Sequence, residues 1–89
     1  MHSVLFVVVT TDLTLEQKVW WPKIVSELCR IAATTLGTLI LSENVLLIPM
    51  QNGSGGISSA VETAESAGFR HMELYFQEPP QWVSSPDRS

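Results

Sequence analysis

The stretch Val4-Leu5-Phe6-Val7-Val8-Val9 decides how the chain is read. Its six residues are all apolar and four are valine, which favours a strand over a helix. Successive side chains of a strand point to opposite faces. An unbroken apolar run therefore has both faces covered, and the strand, from about Ser3 to Thr10, belongs in the middle of a sheet.

Downstream the period changes. Thr14 and Gln17 have capping-box spacing, which marks a helix start. Trp20, Trp21, Ile24, Leu28, Ile31 and Ala32 then recur at three- and four-residue steps and form one apolar stripe. Pro22 either opens a second helix or kinks a single one, and because the stripe stays in phase across it the sequence favours the single kinked helix. It ends near Thr35, with Gly37 in the turn. Thr38–Leu41 and Val45–Met50 predict a hairpin around Ser42-Glu43-Asn44, with Pro49 at a strand end. Gln51–Ser58 is glycine- and serine-rich and reads as a flexible link. Ser59 and Glu62 form a second capping-box pair, and Gly68 closes the helix that follows. His71–Gln77 alternates, with Met72, Leu74 and Phe76 on one side and His71, Glu73, Tyr75 and Gln77 on the other.

The order strand, helix, strand, strand, helix, strand is the ferredoxin-like βαββαβ pattern of the α+β class. Right-handed crossovers give one antiparallel sheet in the order four, one, three, two, with two helices on one face. This name describes architecture and carries no function. Residues 1–78 form a single domain, and 79–89, rich in proline and serine, form a flexible tail with Trp82 as an anchor. The apolar side of the last strand is expected to face the helices, which leaves Glu73 and Tyr75 on the open face. Leu5, Val7 and Val9 share that face, and these five residues are the expected interface.

Composition narrows the function classes. The chain has 89 residues, enough for one small core, with 45% apolar and 16% charged residues. Its net charge is −4 and its five basic residues are scattered, which argues against nucleic acid and against an anionic membrane surface. No run approaches the roughly 18 apolar residues of a membrane span. The apolar N-terminal run is short and has no basic residue ahead of it, unlike a signal peptide. The single cysteine, Cys29, excludes an internal disulfide and suits a cytoplasmic setting.

No motif names a reaction, a cofactor or a metal. His2 and His71 fall at opposite ends of the sheet, roughly 15–20 Å apart, too far to share a metal ion. Gly55, Gly56, Ser58 and Ser59 resemble an anion-binding helix start, but no lysine accompanies them and the spacing fits no phosphate motif. His71 and Asp12 share one pole, where an acid–base pair or a rim salt bridge is expected. Cys29 lies beside the apolar stripe, as an inert thiol does.

The expectation that follows is a small non-catalytic protein acting through its apolar sheet face, as a homo-oligomer, most simply a dimer, or as a protein-interaction module. The alternative is a small-molecule binder or enzyme of the dimeric α+β barrel type. Its pocket would lie between sheet and helices at His71, Tyr75, Trp20 and Trp21, for a small apolar or anionic ligand.

Overall fold

The structure, a computed structural model, describes residues 2–50 and 55–78. Its elements are β1 (Ser3–Val8), α1 (Leu15–Thr34), β2 (Leu39–Ser42), β3 (Val45–Pro49), α2 (Gly55–Ser66) and β4 (His71–Phe76). The four strands form one antiparallel sheet in the order β2-β3-β1-β4, the expected ferredoxin-like α+β arrangement. The tail from 79 to 89, and with it Trp82, lies outside the described residues.

Alternation along β1 separates the two faces. Val4, Phe6 and Val8 are fully buried and pack with Ile24, Leu28 and Ile31 of α1 and with Ile57, Ala60 and Ala64 of α2. Both helices therefore lie on one side of the sheet. Leu46 and Ile48 bring β3 into the same core. Burying each large side chain contributes roughly 1.5–3 kcal/mol.

The helix ends are built as their residues require. Thr14 Oγ1 accepts from the Gln17 N–H at 3.1 Å, and Gln17 Oε1 accepts from the Thr14 N–H at 2.9 Å, completing the capping box. The Gln17 amide also donates to the Gly68 carbonyl at 2.9 Å, tying the start of α1 to the end of α2. α1 runs unbroken through Pro22, which is exposed. At the end of α2, the Gly68 N–H reaches the Glu65 carbonyl and the Phe69 N–H reaches the Ala64 carbonyl. With Gly68 at φ 75° and Phe69 buried, this is a Schellman closure.

Two local expectations are corrected. The helix expected from Ser59 begins at Gly55, so the Ser59–Glu62 pair lies inside α2 and caps nothing. Packing explains the early start: a Cβ on Gly56 would come within 2.9 Å of Thr35 Cγ2 and 3.2 Å of Ile48 Cγ2, so glycine lets the first turn press against α1 and β3. Ile57 anchors the same turn in the core. The second correction concerns β4. Phe6 pairs with Glu73, Val4 with Tyr75 and Val8 with His71, so those three polar residues share the helix side. Met72, Leu74 and Phe76 point to the open face.

Candidate functional site

The open face is assembled by pairing. Leu5 stands opposite Leu47 on one side and Leu74 on the other, and Val7 stands between Val45 and Met72. Leu39 extends the row from β2 through its pairing with Leu47, and Phe76 extends it from β4 beside Ser3. No charged side chain occupies any of these positions. Met72 and Leu74 remain 60% and 56% exposed. Leu47 is buried, although it is not part of the helix-side core.

Leu5 and Val7 thus stand where the sequence expects them, and Val9 continues their alternation, donating to the Arg70 carbonyl at 2.8 Å. Glu73 and Tyr75, expected on the same face, lie on the other side of the sheet from Leu5 and Val7. The register puts them there, opposite Phe6 and Val4, where they meet α2 across an open groove. The helix side of an edge strand is then solvent-accessible and suits polar residues, while its other side joins the apolar row. Met72, Leu74, Phe76, Leu39 and Leu47 are the face residues that sequence reasoning missed. No local signal in β4 gives its sidedness; pairing with Val8, Phe6 and Val4 of β1 places His71, Glu73 and Tyr75 on the helix side.

On that side His71 stacks on Phe6 with ring centroids 5.4 Å apart. Its Nε2 is 3.9 Å from a Glu65 carboxylate oxygen and its Nδ1 is 3.9 Å from one of Glu73. Nδ1 is buried and has no hydrogen-bond partner. The expected pairing with Asp12 is replaced by these two glutamates. Asp12 sits in the turn after β1 with φ 57°. Tyr75 donates its hydroxyl to Glu73 Oε1 at 2.9 Å, and this bond to a carboxylate holds the phenol above its ordinary pKa. Glu73 and Tyr75 form one wall of a groove against α2, of about 660 Å³.

The tryptophans stand elsewhere. Trp21 packs on Phe69 and donates from Nε1 to Glu43 at 3.3 Å, pinning the β2–β3 turn to α1. Trp20 carries Lys23 Nζ 4.4 Å over its ring and lines a separate groove between the helices. The expected single pocket of His71, Tyr75, Trp20 and Trp21 is therefore divided. Gly55, Gly56 and Ser59 line a further depression beside Arg30 and Thr35, while Ser58 faces the groove at Tyr75. Arg30 is engaged by Glu27, whose carboxylate is held below its ordinary pKa first by that hydrogen bond. Cys29 is exposed.

Among the described residues, no three His, Cys, Asp or Glu side chains gather into a metal-binding group. No described helix is long and apolar enough to cross a membrane. The chain matches no protein-family model, no curated protein and no solved structure.

Proposed function

We infer that this is a small non-catalytic interaction protein that buries its open sheet face against a second copy of itself. One observation carries the reading: the β1–β4 register, which lines Met72, Leu74 and Phe76 up beside Val7, Leu5 and Ser3. An apolar row across four strands, without a charge in it, favours burial against another surface. A two-fold axis through the face brings each residue against its own row, so a single patch supplies both halves of the interface. A four-stranded face with strands about 4.8 Å apart and about 18 Å long projects to roughly 340 Å². Side-chain relief and the rim enlarge it, but it stays near or below the roughly 800 Å² per partner of a standard interface. The dimer should therefore dissociate on dilution.

Solution mass tests this. The protein should run as a dimer at high micromolar concentration and shift towards its 9.8 kDa monomer on dilution. Leu74→Glu should be monomeric throughout with an unchanged far-UV spectrum, because Leu74 lies on an edge strand where a charge is solvated in the monomer. A wild-type protein that stays monomeric at the highest concentration refutes the reading, as does a Leu74→Glu protein of unchanged dimeric mass.

A further inference from the structure

The groove between α2 and β4 lies on the opposite side of the sheet from the proposed interface and has a chemistry of its own. Its floor is apolar: Ile57 belongs to the core, and Met50 and Val61 pack against the core's edge. Its walls carry carboxylates from two elements, Glu62 and Glu65 from α2 and Glu73 from β4. No lysine or arginine among the described residues lines it. Glu73 is held in place, since its Oε1 accepts from Tyr75 and its side chain is only 26% exposed. Tyr75 adds an aromatic ring that remains 57% exposed. The volume, about 660 Å³, is in the range of small-molecule sites.

We propose that this groove binds a small organic cation, a protonated amine carrying an aromatic or aliphatic body. Charge complementarity selects the occupant. An anion would meet three carboxylates with no lysine or arginine among the described residues to offset them, and with His71, 3.9 Å from Glu65 and Glu73, as the one described basic side chain beside the walls. A neutral apolar molecule would use the floor but would desolvate the carboxylate walls without compensation. An ammonium group satisfies the walls, with Tyr75 offering its ring face, while the body of the ligand covers Met50, Ile57 and Val61. The open face takes no part, so this site stands or falls separately from the self-association above.

The probe is phenethylammonium, titrated into the ¹⁵N-labelled full chain, with phenethyl alcohol and phenylpropionate as neutral and anionic counterparts. Saturable amide shifts should appear at Ile57, Val61, Glu65, Glu73 and Tyr75. The alcohol should bind about ten-fold more weakly, phenylpropionate should not bind, and added salt should weaken the ammonium. Glu73→Gln should weaken it about five-fold, the scale of a single partly exposed charge pair. The exposed Glu65→Gln provides the same reading if the first variant folds poorly, and Val61→Trp should fill the floor and abolish binding. Three results would each overturn the site: equal binding of alcohol and ammonium, shifts centred on Met72 and Leu74 or on Trp20, or no saturation at millimolar probe.

Discussion

At the scale of single residues, Tyr75 offers the most direct check on the helix side of β4. It is the chain's one tyrosine, so tyrosinate absorbance reports it alone. The hydrogen bond to Glu73, then desolvation and the negative charge of that carboxylate, raise its pKa above the ordinary 10.0. Glu73→Gln should return the midpoint towards that value, and an unchanged midpoint would mean the bond is not formed in solution. The sign for stability follows from proton binding. The folded chain holds the phenol proton more tightly than the unfolded chain, so this contribution is complete below the unfolded pKa and is lost as pH rises through the folded one. His71 shows a different economy of contacts. Its ring is fixed by stacking on Phe6, and its charge partners, Glu65 and Glu73, come from two elements 3.9 Å away on either side. Glu73 is visible from the alternation around His71, whereas Glu65 comes from α2 and is visible only once the helix is packed beside β4.

At the scale of elements, the two glycines that open α2 behave oppositely although they are neighbours. A Cβ on Gly55 would meet nothing within 4 Å, whereas one on Gly56 would meet Thr35 and Ile48. Gly55→Ala should stabilise by about 0.4–1 kcal/mol by restricting the unfolded chain. Gly56→Ala should destabilise by about 1–3 kcal/mol by overpacking. Denaturant midpoints of the two variants check both signs. The same contrast shows what was legible in sequence. Local chemistry announced α1, because Thr14 and Gln17 are sufficient to cap it and Trp21, Ile24, Leu28 and Ile31 keep one phase through Pro22. It also announced the end of α2, because Gly68 is needed at φ 75°. The start of α2 was hidden, because helix propensity opposes two glycines there and the close approach of Gly56 to residues about 8 and 20 positions earlier leaves no local pattern. The hairpin turn was readable as a turn but not as a type. Glu43 and Asn44 lack positive φ, and a register shift between Ile40 and Ser42 absorbs the mismatch.

At the scale of the whole molecule, element order and sheet order were readable and the sidedness of β4 was not. An apolar alternation shows that a strand has one greasy face, but it does not say whether a helix lies over that face. Two helices cannot blanket four strands evenly. Here they cover β1 and β3, and the outer strand β4 turns its apolar residues away from them. Central placement of β1 has another consequence, in time rather than in space. Both of its neighbours are made long after it: Leu5 waits for Leu47, then for Leu74. Until β4 leaves the ribosome, the most apolar strand of the chain has an unpaired edge, and chains that stall early are exposed to joining one another through it. A chain ending at Arg70 should therefore sediment as aggregate when made without chaperones, whereas the chain ending at Glu78 should remain dispersed; synthesis of the two in a reconstituted translation system, followed by centrifugation, would check this.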